Sequence, residues 1–206
     1  YVIAGDDGPP PLLANPPASD VDAAVARLIA AEVPDGACLQ IGIGAMPNAV
    51  CSMLVESDVR DLGVHSEMLT DGIIELYRAG KVTGIHKTLQ PGRIAYSFAL
   101  GSQMLYDAID RNDDLVCLPV ERTNLPHVVA QNDRVVSINS TTAVDLTGQA
   151  ASESDGHRHI SGIGGQLQFV RGAYASKGGR SIIACHATAA KGTISRIVPW
   201  LDGPVT

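Results

Sequence analysis

Residues 65–72 read His65-Ser66-Glu67-Met68-Leu69-Thr70-Asp71-Gly72 and gather a histidine, a serine and two carboxylates in one short stretch. Such a set could supply a nucleophile, a general base or metal ligands. A Ser-His-Asp hydrolase would carry its serine in a Gly-x-Ser-x-Gly elbow, and Ser66 has no flanking glycine. His65, Glu67 and Asp71 are metal-ligating types, but their spacing fits no standard site, so no metal is expected. Asp71 also suits the cap of a following helix. The residues alone leave catalytic and structural readings of Glu67 open.

Three other segments carry candidate chemistry. Gly42-Ile43-Gly44-Ala45-Met46-Pro47 places two glycines at a strand end, where the chain can turn tightly and a ligand can approach the backbone. Pro47 occupies the place of the third glycine of a dinucleotide fingerprint, and no Gly-Lys-Ser/Thr follows for a phosphate loop. Ser161-Gly162-Ile163-Gly164-Gly165-Gln166 could converge amides on an anionic oxygen, or simply bend the chain before a helix. In Ser137-Ile138-Asn139-Ser140, Asn139 could donate to a carbonyl or fix a turn. Asp145, in Val144-Asp145-Leu146-Thr147-Gly148-Gln149, needs a partner if buried, and a structural role is expected for it.

Something must position these groups, and the composition allows a folded domain. The 206 residues are 45% apolar and 18% charged, enough for one domain with a real core or two small ones. The net charge is -7, and the 15 lysines and arginines form no basic block, so no nucleic-acid partner is expected. Lys177 and Arg180 make the most basic stretch and read as solvated surface cations. No run of 18 apolar residues exists, and residues 1–7 lack the order of a signal peptide, so a cytoplasmic protein with no membrane partner is expected. Cys38, Cys51, Cys117 and Cys185 lie far apart in apolar segments, which predicts buried free thiols.

Along the chain, residues 1–18 read as a lead-in or linker, proline-rich from residue 5. Ser19 or Asp20 then caps a helix whose apolar stripe is Val21, Val25, Leu28 and Ile29. Strand patterns follow at 37–43, 61–65, 93–100, 115–118, 134–138, 143–146, 181–185 and 193–198. Helices are expected from Pro47 through Leu54, from Ile73 through Tyr77, at 103–109 and near Phe169-Val170. Strand, glycine turn and helix in alternation predict an α/β fold: an open, mostly parallel sheet with flanking helices and ligands at the strands' C-terminal ends. The strand-rich last third should add some antiparallel pairing.

Taken together, residues 65–72, 144–149 and 161–166 resemble the acetyl-CoA hydrolase/transferase family. Leu39-Gln40-Ile41-Gly42-Ile43-Gly44, Phe98-Ala99-Leu100-Gly101, Val136-Ser137-Ile138-Asn139-Ser140 and Thr193-Ile194-Ser195-Arg196-Ile197-Val198-Pro199 support the likeness, in order, over nearly the whole chain. The resemblance implies a CoA-transferase-like open α/β fold and a chain about twice as long. Residues 19–206 would be most of its second, catalytic domain, truncated at its end, with the first domain missing and a homo-oligomer as the assembly.

The implied reaction passes coenzyme A between an acyl-CoA and a small carboxylic acid, 4-hydroxybutyrate among them. It runs through an acyl-glutamyl anhydride and a glutamyl-CoA thioester, with CoA as substrate and no tightly bound cofactor. By that match Glu67 is the nucleophile. Gly162, Gly164, Gly165 and Gln166 line the CoA and acyl site, Asn139 is a second polar contact, and Gly42 and Gly44 border the site. His65 is implied to orient or support rather than act as base. Gln168 departs from the family's usual aspartate, which bears on acyl preference. Arg171 and Arg196 are candidate cations for a second substrate carboxylate. Hydrolysis by the same glutamate, a non-catalytic CoA-binding domain and a sugar-phosphate isomerase remain competing readings, the last without a convincing acid/base set.

Overall fold

The computed structural model describes residue 5 and residues 8–206. Of the expected lead-in, residues 1–4, 6 and 7 lie outside the described residues. Residues 8–18 contain no helix or strand, yet they are tied across the body. The Leu13 amide donates to Gly101 O at 2.9 Å, and Asn15 Nδ2 donates to Asp71 Oδ2 at 2.6 Å.

α1 (Asp20–Ala30) is capped by Ser19. The Asp22 amide donates to Ser19 Oγ, and Asp22 Oδ2 accepts from the Ser19 amide, which closes a capping box. Its buried side chains are Asp22, Ala26 and Ile29. Val21 and Leu28, expected in the apolar stripe, face outward, because the helix packs on α2 through the Ala26 side. β1 (Cys38–Ile41), α2 (Ala45–Glu56), β2 (Gly63–Val64), β3 (Met68–Leu69) and α3 (Asp71–Arg78) follow. Next come β4 (Ile94–Tyr96), β5 (Phe98–Ala99), α4 (Gln103–Ile109), β6 (Leu115–Cys117) and two short helices, α5 (Val120–Thr123) and α6 (Pro126–Val129). The strand expected over 93–100 therefore breaks at Ser97, since β4 pairs with β6 while β5 pairs with β3.

The remaining elements are β7 (Val135–Ser140), β8 (Ala143–Asp145), β9 (Ala150–Ala151), β10 (Ser154–Asp155), β11 (Arg158–His159), α7 (Gln166–Ala175), β12 (Arg180–Ala184), β13 (Thr188–Ala189), β14 (Ile194–Ser195) and β15 (Ile197–Val198). The late strand expected at 193–198 is two short strands in different sheets. Antiparallel pairing occurs in this last third, at β8–β9, β10–β11 and β13–β14.

The central sheet runs β12-β7-β1-β2, all parallel. A single bridge, His65 to Ala95, carries it on to the β4–β6 pair. After β1 the chain turns into α2 and reaches β2 on one side; β7 lies on the other side of β1 and leads away to β12. The β1/β7 boundary is thus a switch point, and its carboxyl end is where a crevice opens in such sheets.

Alternation along the strands divides the residues between two faces. Leu39, Ile41, Val136 and Ile138 enter the large apolar cluster with α1, α2 and α3. Cys38 and Val135 instead join Val129, Phe169 and Ala173 under α6 and α7. Gln40, Ser137 and Asn139 share that second face by the same alternation. Gly172 lets α6 and α7 touch: a Cβ there would stand 2.5 Å from Val129 Cβ. Of the thiols expected to be buried, Cys38 and Cys51 are, whereas Cys117 is exposed and Cys185 half-buried, because they lie at or just past the ends of the edge strands β6 and β12, while Cys38 is in the inner strand β1. Burial pushes the Cys38 thiol up to about 11 and Cys51 to about 12, so neither is a thiolate near neutral pH. No helix among the described residues is long and apolar enough to cross a membrane.

Candidate active site

Glu67 lies between β2 and β3, half-buried. Its carbonyl oxygen accepts from the Ser97 amide at 2.8 Å and the Phe98 amide at 3.1 Å, so the break between β4 and β5 holds its backbone. Its carboxylate faces a cleft of about 250 Å³ at the carboxyl ends of β1 and β7. Gly42, Asn139, Gly162, Gly164, Gly165 and Gln166 line the same cleft. Gly44 does not; it caps α2 at φ 121° and lines an adjoining cavity with Cys185, His186 and Arg196.

Gly165 meets the carboxylate directly. A Cβ built there would stand 2.5 Å from Glu67 Oε2 and 2.6 Å from Asn124 Nδ2. Its φ of -99° is open to any residue, so close approach, not backbone strain, demands the glycine. Gly164 is the position whose backbone favours glycine, at φ 58°. α7 begins immediately afterwards at Gln166, and the first amides of a helix have no intrahelical acceptor. The Gln166 side chain is partly committed, with Nε2 donating to Ser152 Oγ at 2.7 Å.

Asn139 is buried and pairs reciprocally with Gln40 across the β1/β7 boundary: each side-chain amide donates to the other's oxygen, at 2.9 and 3.1 Å. A Cβ on Gly42 would come within 3.3 Å of Asn139 Oδ1. The cleft therefore has an amide floor, with Phe169 buried beside it and a second acid, Glu153, on its wall. No lysine or arginine lines it among the described residues.

Sequence reasoning did not single out Asn124 or Glu153. Asn124 follows α5, and its Nδ2 donates to Gln168 Oε1 at 3.2 Å. The departure at 168 thus keeps an acceptor for Asn124 without adding a charge. Asn124 Oδ1 accepts from Thr123 Oγ1 at 2.9 Å, and the Thr123 carbonyl accepts from His65 Nε2–H at 2.9 Å. His65 is 1% exposed, and burial, helped by the Lys87 charge, lowers it to about 4. A neutral imidazole committed to a backbone carbonyl fits a supporting role rather than that of a base. Ser66 is fully buried and outside the cleft. The sequence signal for Asn124 was its place before Leu125-Pro126, since Pro126 opens α6.

The other candidates lie elsewhere. Asp71 is the first residue of α3, not its cap, and serves a neighbour: its carboxylate accepts from the Ser102 amide and hydroxyl at the start of α4. Asp145 accepts from Thr147 Oγ1, the Thr147 and Gln149 amides and Gln149 Nε2, and these bonds, the Thr147 hydroxyl first, hold it down to about 2. That is the structural role expected of it. Lys177 stands 4.0 Å from Asp133 and Arg180 2.6 Å from Glu32, both at the surface. Arg171 lines a separate groove with Tyr174. No three His, Cys, Asp or Glu side chains converge as a metal set among the described residues.

Residues 101–206 match the sequence pattern of the acetyl-CoA hydrolase/transferase C-terminal domain, which takes in Asn124, Asn139 and the 162–166 turn. The chain belongs to the acetyl-CoA hydrolase/transferase family. It is 47% identical to the 4-hydroxybutyrate coenzyme A transferase of Clostridium kluyveri over 92% of this chain and 44% of that one. It is 49% identical to the butyryl-CoA:acetate CoA-transferase of Anaerostipes caccae, over 89% of this chain and 42% of that relative. A more distant family member, 31% identical over 78% of this chain and 30% of its own length, is named acetyl-CoA hydrolase, from Kluyveromyces lactis. The crystal structure of RipA from Yersinia pestis superposes with a TM-score of 0.85 at 50% identity, covering 95% of this chain and 43% of that one. The family member described here thus spans less than half the length of the relatives it matches.

Proposed function

We propose that Glu67 is the acyl-accepting carboxylate of a CoA-transferase, and that this chain supplies the nucleophile, the glycine-rich wall and the α7 amides. The observation that carries the reading is the contact of the Glu67 carboxylate with Gly165, one residue before a helix N-terminus, at the switch point of a parallel sheet. A carboxylate is ionised near neutral pH and needs no base to become a nucleophile. It attacks the thioester carbonyl of the acyl-CoA, and the tetrahedral oxyanion collapses to expel CoA thiolate and leave an acyl-glutamyl anhydride. The thiolate then attacks the glutamyl carbonyl, the donor acid leaves as its carboxylate, and a glutamyl-CoA thioester remains. An acceptor carboxylate runs the same two steps in reverse. Every stage places negative charge on an oxygen beside Glu67, where unpaired helix amides and the Asn124 side chain can donate.

Among the described residues the cleft offers amides and hydroxyls but no cation, so its share of the site suits a small monocarboxylic acid such as 4-hydroxybutyrate, butyrate or acetate. Arg196 belongs to the adjoining cavity. No tightly bound cofactor enters this scheme; coenzyme A is a substrate. Sequence present in the longer relatives would close the cleft and keep water from the anhydride.

The test is acetyl-CoA with the complete protein and its Glu67→Gln variant, followed by borohydride and mass spectrometry. Reduction of a glutamyl thioester leaves a primary alcohol at position 67 in the wild type and nothing in the variant. If a complete, CoA-binding wild type neither traps nor turns over, a binding domain becomes the better reading. Hydrolysis is separated by the acceptor: transferase turnover rises with added butyrate or 4-hydroxybutyrate, and hydrolase turnover does not.

A further inference from the structure

Lys87 takes no part in the scheme above, yet its burial is unusual. Among the described residues it is the only buried lysine or arginine, at 6% exposure. None of the ion pairs among those residues includes it. An ammonium taken out of water is costly unless its donors are satisfied. Here Nζ donates to two main-chain carbonyls, Val64 O at 2.7 Å and Arg93 O at 2.5 Å. Burial holds its pKa at about 8, so the group is mostly charged at neutral pH.

The two carbonyls mark a seam. Val64 ends β2, and Arg93 immediately precedes β4. Between β2 and β4 the ladder has one bridge, His65 to Ala95, supported by the Ser66 amide donating to Ala95 O at 3.0 Å. Glu67 emerges just beyond that seam, and its carbonyl is held from the far end of β4 by Ser97 and Phe98. The Lys87 stem lies over Gly63: a Cβ there would stand 2.6 Å from Lys87 Cγ and 2.8 Å from Cδ. The Lys87 charge also acts on the His65 imidazole, whose carbonyl partner Thr123 leads to Asn124 at the cleft. The ammonium thus binds the main chain that leads to Glu67, and its charge acts on the polar chain that leads to Asn124.

We propose that Lys87 is a positioning residue for Glu67: its ammonium clamps β2 to β4 where the ladder is thinnest, and so sets the carboxylate against Gly165 and Asn124. The inference rests on Glu67 being the nucleophile. It does not act on substrate, so its loss should lower the chemical step more than binding. Misplacement of a reacting group by about 1 Å can cost on the order of 100-fold in rate.

The experiment compares wild type, Lys87→Met, Lys87→Arg and Gly63→Ala in the complete protein, reading kcat, KM for acyl-CoA, borohydride trapping and hydrogen exchange by mass spectrometry. Lys87→Met keeps the stem and removes the donors. Its kcat and trapping rate should fall by about 10- to 100-fold with KM little changed. Exchange should rise at residues 65–69 and 94–98 and not in α1 or α2. Lys87→Arg retains donors for both carbonyls and should recover part of kcat. Gly63→Ala displaces the stem and should give the same signature more weakly, adding little in a Lys87→Met background; it carries the test if Lys87→Met does not fold. Folded variants with wild-type kcat and exchange overturn the proposal. So does a loss spread evenly over the chain with no recovery by arginine, which marks general destabilisation. If the wild type itself traps no glutamyl adduct, the reading of Glu67 has failed, and exchange at 65–69 alone judges the clamp: a local rise upholds it and no change overturns it.

Discussion

Leu39, Ile41, Val136 and Ile138 on one face of the central strands pack into the large cluster with α1, α2 and α3, while Gln40, Ser137 and Asn139 on the other lie under α6 and α7 beside a cluster of Cys38, Val129, Val135, Phe169 and Ala173. The same strands supply both. Apolar burial at about 25 cal/mol per Å² lets the first face hold the sheet. The second keeps buried polar groups that cost free energy unless each is paired. Pairing one amide with another across β1 and β7 makes that tolerable and leaves a floor for chemistry at the strand ends. Stability and function are separated by one residue of register.

The sharpest way to break this comparison is Glu67→Gln. Turnover should fall by about 10,000-fold or more while the melting temperature moves little, since the proposed nucleophile is lost and the fold keeps an isosteric side chain. Leu39→Ala on the opposite face should do the reverse. It should cost about 2–5 kcal/mol in urea unfolding, with kcat retained in the folded fraction.

A pH titration probes the polar face through His65. Its pKa is lowered to about 4 when folded, against about 6.5 unfolded. Its contribution is therefore complete above pH 6.5 and is lost as pH falls toward 4, by up to about 3 kcal/mol. A His65→Gln variant should flatten that part of the stability curve. Gly165→Ala should lower kcat about 10- to 100-fold, since its Cβ would push the Glu67 carboxylate and the Asn124 amide apart. The smallest effect is expected for Gln40→Leu, which leaves the Asn139 amide unpaired and should cost about 1–2 kcal/mol. Replacing Asn139 as well should recover part of it.

Much of this was legible beforehand because local pattern and function coincide. The strand at β1, the helix at 103–109 and the glycine turn before α7 carry period and punctuation that short-range physics enforces. Glu67 and the 162–166 turn were named by resemblance. Asn124, Gln40 and Lys87 were not singled out, because their roles lie in partners 44, 99 and 23 residues away. The stripe of α1 was misplaced for a similar reason. Val21 and Leu28 satisfy the helical period, but only packing against α2 selects the Ala26–Ile29 side.

The sequence by itself determined the alternation of strand and helix, the parallel sheet this implies and the segments in which chemistry could reside, since periodicity and turn residues act within a few positions. Tertiary structure alone decided that Glu67 meets Gly165, that Asp71 serves α4 rather than its own helix, and that a buried lysine spans the seam behind Glu67. Those are contacts between distant segments, and only the closing of the sheet and the packing of α7 against it bring them within hydrogen-bond reach.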